Sequence, residues 1–144
     1  MGNEWKTAGT RYRPSAPMKR LAADNRLVGF TLDYGCGKGY DAHYYGMESY
    51  DPYFQPDMPI ANFDTITCNY VLNVIESPVA REAVVQDIRS RLNPGGIAYI
   101  TVRNDRRALN GTTKIRTWQG LITLDLPVVY KTSGFITYEV RNEV

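Results

Sequence analysis

The segment Asp33-Tyr34-Gly35-Cys36-Gly37-Lys38-Gly39 sets an acid ahead of glycines at alternate positions, directly after the apolar run Phe30-Thr31-Leu32. Glycine tolerates left-handed backbone and lets a ligand approach the main chain with no Cβ in the way. A strand that stops at such a turn borders a binding crevice. A second acid, Asp51 in Ser49-Tyr50-Asp51-Pro52-Tyr53, ends a short strand, and an ionised carboxylate there accepts hydrogen bonds from hydroxyl groups. The glycine spacing separates chemistries. A dinucleotide fingerprint wants two residues between its second and third glycines, whereas only Lys38 lies between Gly37 and Gly39. A phosphate-cradling loop wants Ser or Thr after its lysine, where Gly39 stands, and a glycine where Leu32 stands.

The elements that position these residues alternate in type. Phe30 to Tyr34 reads as a first strand, Tyr40 to Tyr45 as a short helix stopped by Gly46, and Ser49 to Asp51 as a second strand. Phe63 to Leu72 reads as a further buried strand. Ser77 and Pro78 then supply an N-cap and a first helical residue, with Val79, Ala83, Ile88 and Leu92 on one face. Asn93-Pro94-Gly95-Gly96 is a turn into a strand from Ile97 to Val102, and Met18 to Leu27 forms a short helix before the first strand. Strands and helices in this alternation imply a parallel sheet with right-handed crossovers. The tail differs: Leu121 to Leu126 and Phe135 to Val140 alternate in polarity around Lys131-Thr132-Ser133-Gly134, which predicts an antiparallel hairpin. The polar stretch Asp105 to Thr117 reads as a loop over a site.

With these residues in view, Asp33 to Gly39 resembles the first motif of class I, Rossmann-like methyltransferases. Asp51 is similar to the acid that ends the family's second strand. Phe63 to Leu72 looks like its fourth strand, and Leu92 to Ile100 like the turn into its fifth. The Ser15-Ala16-Pro17-Met18 segment, Tyr50-Asp51-Pro52-Tyr53 and Asn69 to Ile75 are similar to small methyltransferases of bacteria and their phages. The resemblance implies an α/β fold with a mostly parallel sheet, a C-terminal antiparallel hairpin, and S-adenosylmethionine as cofactor, with S-adenosylhomocysteine as product. It implies that Asp33 holds the amino acid end of the cofactor and Asp51 its ribose. Tyr34, Gly35, Cys36, Gly37, Gly39, Pro52, Tyr53 and Asn69 would line the cofactor, and Asn69 and Tyr70 would border the reacting methyl. Only about a dozen residues separate Asp51 from Phe63, where the family places a helix and a third strand; that region is therefore shortened. The exposed edge this leaves implies a homo-oligomer.

The alternatives weigh on particular residues. Asn69 reads equally as a helix cap or as a catalytic side chain. Cys68-Asn69-Tyr70-Val71 lacks both prolines of the DNA amino-methyltransferase tetrapeptide, which disfavours methylation of a base amine by that route. Tyr44, Tyr45, Tyr50 and Tyr53 read as an aromatic wall or as packing, and His43 as a base or as a half-exposed helix residue. Arg103, Arg106, Arg107, Lys114 and Arg116 with Trp118 suit a nucleic acid or a solvated face. A pruned, non-catalytic module that binds the cofactor is the alternative to an enzyme.

Bulk properties bound the rest. A chain of 144 residues has the length of one domain. Residues 1–20 read as a basic arm and 21–144 as a single domain. A formal charge of +2, from 17 Lys and Arg against 15 Asp and Glu, is mild basicity. No apolar run suits a membrane span or signal core, and neither Cys36 nor Cys68 has a neighbour at metal-ligand spacing, so the expectation is a cytoplasmic protein without metal.

Overall fold

The computed structural model describes residues 12–105, 111–112 and 118–143. In chain order the elements are α1 (Ala16–Ala23), β1 (Thr31–Tyr34), α2 (Tyr40–Tyr45), β2 (Glu48–Tyr50), β3 (Phe63–Asn69), a single 3-10 turn (Leu72–Val74), α3 (Pro78–Ser90), β4 (Leu92–Arg103), β5 (Gly111–Thr112), β6 (Trp118–Gln119), β7 (Val128–Lys131) and β8 (Phe135–Arg141). Six strands form one sheet in the order β2-β1-β3-β4-β8-β7, while β5 and β6 pair in a separate ribbon. The neighbours β2-β1, β1-β3 and β3-β4 are parallel, and β8 runs antiparallel to both β4 and β7.

Period-two alternation divides the sheet into two faces. Leu32, Ile66, Cys68, Ala98, Ile100 and Val102 join Val84, Val85 and Ile88 of α3 in one apolar layer. On the other face Met18 and Leu21 of α1 and Ala42 of α2 pack with Tyr99, Tyr130 and Phe135. Each fully buried aliphatic chain here contributes roughly 1.5–3 kcal/mol, so these layers fix the strand ends that carry the polar residues.

Several boundaries differ from the sequence reading for physical reasons. α3 begins as expected, with Ser77 Oγ accepting from Ala80 N at 3.2 Å. Its buried stripe is Val84, Val85 and Ile88, whereas Val79 is 81% exposed and Ala83 also faces solvent. Counting back from Ile88 by three and four reaches Val85 and Val84, and the next position on that face is Arg81, whose guanidinium bonds the Ile75 and Glu76 carbonyls. Asn93 to Gly96 form a bulge inside β4, not a turn before it: Phe63 pairs with Leu92, and pairing resumes at Thr65 with Ile97. A Cβ on Gly96 would lie 2.9 to 3.1 Å from the carbonyl oxygens of Asn93, Phe63 and Asp64.

At the tail, β8 matches its predicted strand, but its hairpin partner is Val128–Lys131 and not Leu121 to Leu126. The latter segment is not a ladder strand, with a bend at Asp125 and Leu126, and it lays Ile122, Leu124 and Leu126 against the α3-side core. At the other end, Ser15 to Arg20, read as the close of a basic arm, lead into and form the first part of α1. Ser15 is 2% exposed and donates from its amide (3.0 Å) and hydroxyl (2.7 Å) to the Asp41 carboxylate of α2. Among the described residues, 52–62 contain neither helix nor strand beyond an isolated bridge between Asp51 and Gln55, so β2 lies at the sheet edge.

Candidate active site

From β1 the chain passes leftward to β2 and then crosses to β3 on the other side of β1. The carboxyl ends of β1 and β3 therefore flank the point where strand order reverses, which in open α/β sheets is where ligands bind. Gly35, Gly37 and Gly39 stand at the end of β1 with φ of +79°, +59° and +88°. The turn is clamped to β2, because Gly35 N and Cys36 N both donate to Tyr50 O, at 2.7 and 2.9 Å. Left-handed backbone at all three positions favours glycine.

A row of polar side chains crosses the α1/α2 face beneath this turn. Ser49 is in register with Asp33 and Asp33 with Thr67; one step further along, Asn69 pairs with Thr101 and Thr101 with Thr137. Asp33 is 3% exposed and its Oδ1 accepts from Thr67 Oγ1 at 2.8 Å. Thr101 and Thr137 share a hydroxyl bond at 2.7 Å. Asn69 breaks this pattern of satisfaction: its Oδ1 and Nδ2 are both sealed from solvent with no hydrogen-bond partner among the described residues.

Asp51, 1% exposed, is tightly bound. Its Oδ2 accepts from Gly37 N at 2.9 Å, and its Oδ1 from Tyr53 N at 2.8 Å and Phe54 N at 3.0 Å. The acid thus ties the second strand's tip to the glycine turn.

Other singled-out residues fall in several places. Tyr34 is turned into the α3 side, with its hydroxyl donating to Asp87 Oδ2 at 2.7 Å and its ring 5.1 Å from that of Tyr50. Tyr53 is half exposed, its ring 4.7 Å from that of Phe54, and Pro52 precedes it in the same turn. Tyr70 has φ of +60°, donates its amide to Thr101 O at 2.8 Å, and packs its ring beside the α1/α2 core. A tyrosine in that region is strained by roughly 1–3 kcal/mol, a cost found most often at functional sites. His43 and Tyr44 are exposed on α2; the Tyr44 and Tyr45 rings lie 4.8 Å apart, while Tyr50 packs against Tyr34 and Tyr53 against Phe54. Arg103 pairs with Asp105 at 2.9 Å; Arg106, Arg107, Lys114 and Arg116 lie outside the described residues, as does the basic start of the chain before Tyr12.

Two residues escaped the sequence reading. Asn73, 1% exposed, donates from its Nδ2 to Gln119 Oε1 and leaves Oδ1 buried without a partner among the described residues. Its signal was a lone amide inside Val71-Leu72-Asn73-Val74-Ile75. Gln55 returns to the glycine turn by its bridge with Asp51.

Burial, helped by the Asp33 and Asp51 carboxylates, pushes the Cys36 thiol up to about 12. Burial also raises Cys68, with Asp33 adding to it. A thiol with a raised pKa stays protonated and is a poor nucleophile at lower pH. At pH 8 iodoacetamide is therefore expected to alkylate both cysteines at least about tenfold more slowly in the folded protein than in urea, read by mass spectrometry. Rapid native labelling of Cys36 would contradict its placement beside two carboxylates. Among the described residues no group of three His, Cys, Asp or Glu could hold a metal ion, and no helix is long and apolar enough to cross a membrane.

A sequence profile described as a methyltransferase domain matches residues 7–127. The chain belongs to this methyltransferase family. No curated protein sequence matches it. Among solved structures it is similar to the N-methyltransferase NodS from Bradyrhizobium japonicum WM9 in complex with S-adenosylhomocysteine, at 12% identity over 88% of this chain and 84% of that one, with a TM-score of 0.55. The DhpI-SAM-HEP complex is similar at 17% identity over 86% and 84% of the two chains, TM-score 0.58. The glycopeptide N-methyltransferase MtfA with S-adenosylhomocysteine matches at 13% identity over 94% and 78%, TM-score 0.51. The six-stranded, mostly parallel sheet with antiparallel C-terminal strands is the Rossmann-like methyltransferase fold, in keeping with the methyltransferase family to which the chain belongs.

Proposed function

We propose that this methyltransferase acts on a nitrogen nucleophile of a small molecule, with Asn69 facing the reacting atoms. The observation that carries this reading is the orphaned carboxamide of Asn69 at the carboxyl end of β3. A buried amide left without partners costs about 1–3 kcal/mol per group, and native proteins seldom retain one unless water or a ligand completes it. The glycine turn and this amide together fit S-adenosylmethionine. The names of NodS and MtfA as N-methyltransferases support nitrogen as the acceptor.

When bound, S-adenosylmethionine would supply an activated methyl on its sulfonium for the nitrogen acceptor, with the acceptor's proton passing to water. The chain's own contribution is placement, which accounts for much of such a rate. Asp33, braced by Thr67, faces the amino acid end. Gly35, Cys36, Gly37 and Gly39 present main chain to the ligand, and so does Tyr34, whose ring is committed elsewhere. Three of about four lone-pair positions on Asp51 are filled by backbone N–H groups, which leaves one for a sugar hydroxyl. Pro52 and Tyr53 flank that position. The strained backbone of Tyr70 turns the chain just after Asn69.

The crowding of Asp51 and the lack of a strand between β2 and β3 favour a second reading, a non-catalytic module that only binds the cofactor. Titration calorimetry with S-adenosylhomocysteine, followed by transfer of tritiated methyl into the small-molecule fraction of a lysate, decides between them. Binding with label in that fraction is expected. Binding with no label in any fraction assigns the module, and no binding overturns both readings. This proposal extends to a reducing, cytoplasmic setting, supported by the free thiols Cys36 and Cys68, and to self-association along the open edge of β2.

A further inference from the structure

We infer that Gln55 contacts the nucleobase of the cofactor, and that the turn Asp51 to Gln55 is a complete purine nucleoside clamp. The inference rests on the S-adenosylmethionine reading above. The turn closes on itself, with Asp51 N donating to Gln55 O at 2.8 Å and Gln55 N to Asp51 O at 3.0 Å. The sugar-facing acid and Gln55 are thereby held side by side.

The Gln55 side chain is held by Ser49, with its amide nitrogen turned toward the glycine turn. Its Oε1 accepts from Ser49 Oγ at 2.7 Å, on the same register row as Asp33. This leaves Nε2 lying on Gly39, so close that a Cβ there would sit 2.3 Å from it. Nε2 makes no hydrogen bond among the described residues. A pinned amide therefore presents two N–H donors beside the glycine turn and Asp51.

The rest of the turn supplies the complementary surfaces. Tyr53 is 49% exposed with its ring against Phe54, and a base stacked on such a ring gains about 1–3 kcal/mol. The ring nitrogens of adenine accept hydrogen bonds and its faces stack. Acid, aromatic face and amide donor thus occur within one five-residue turn, matched to sugar, base face and base edge in turn.

Gln55→Glu keeps the side-chain shape and the acceptor for Ser49 but replaces both N–H donors with an oxygen. It is expected to weaken S-adenosylhomocysteine binding by about tenfold or more in calorimetry, with an unchanged melting temperature. Ser49→Ala, which leaves Gln55 present but unpinned, is expected to weaken binding about threefold. Wild-type affinity in both variants would overturn the assignment while leaving the cofactor reading intact. If the wild type itself binds no S-adenosylhomocysteine, the cofactor reading fails and this inference fails with it. Should Gln55→Glu unfold, the Ser49→Ala titration alone decides: an affinity equal to wild type overturns the assignment.

Discussion

Asp51→Ala is expected to abolish measurable S-adenosylhomocysteine binding and to lower the unfolding free energy by about 3 kcal/mol. The stability loss follows from what the carboxylate holds. Gly37 N–H is buried and bonded to Oδ2, and its loss leaves a donor with no acceptor. The amides of Tyr53 and Phe54, partly buried, lose Oδ1 but retain some access to water. Charge-assisted bonds of this kind are about twice as strong as neutral ones. For a chain of this length each kilocalorie corresponds to roughly 2–4 °C, so melting should fall by about 6–12 °C. The protein should remain folded at low temperature, where calorimetry separates lost binding from lost structure. Asp51→Asn retains one oxygen for Tyr53 and Phe54 but turns an N–H₂ group toward Gly37 N–H. Its melting temperature should lie between those of Asp51→Ala and the wild type. Full binding by Asp51→Ala at 10 °C would remove Asp51 from the sugar.

The fold was legible where local chemistry and tertiary role coincide. Glycines at 35, 37 and 39 are favoured by backbone geometry itself, and Ser77-Pro78 starts α3 through its own cap. The hairpin partner of β8 was not legible, because alternation reports which faces are covered and not which strand donates to which. Leu121 to Leu126 alternates since Ile122, Leu124 and Leu126 cover the core while their neighbours face solvent. Val128–Lys131, with half its residues exposed and a register shift between Val128 and Tyr130, carries the ladder. At the site, the acids and glycines stood out because their spacing is sequential. The orphaned amide of Asn69 and the orphaned Oδ1 of Asn73, and the return of Gln55 onto Gly39, depend on packing between segments distant along the chain or on the closure of a turn. The shortened region between Asp51 and Phe63 was visible as a length, whereas the clamp within it was not.

Gly39→Ala tests that closure most severely. At φ of +88° an alanine is strained by roughly 1–2 kcal/mol, and its Cβ would overlap Gln55 Nε2. Gln55 must therefore leave, breaking its bond to Ser49, while the N-terminus of α2, where His43 N donates to Gly39 O, distorts. Binding of S-adenosylhomocysteine should fall below that of Gln55→Ala, since both the glycine turn and the amide are disturbed. The two causes separate in a double-mutant cycle. In a Gln55→Ala background the overlap is gone and only backbone strain remains, so Gly39→Ala should cost about 1 kcal/mol less there than in the wild type, measured by urea unfolding. A coupling of that size places the Gln55 amide on the glycine turn in solution. Strict additivity would mean that Gln55 points elsewhere, and the nucleobase contact would have to be sought in another part of the chain.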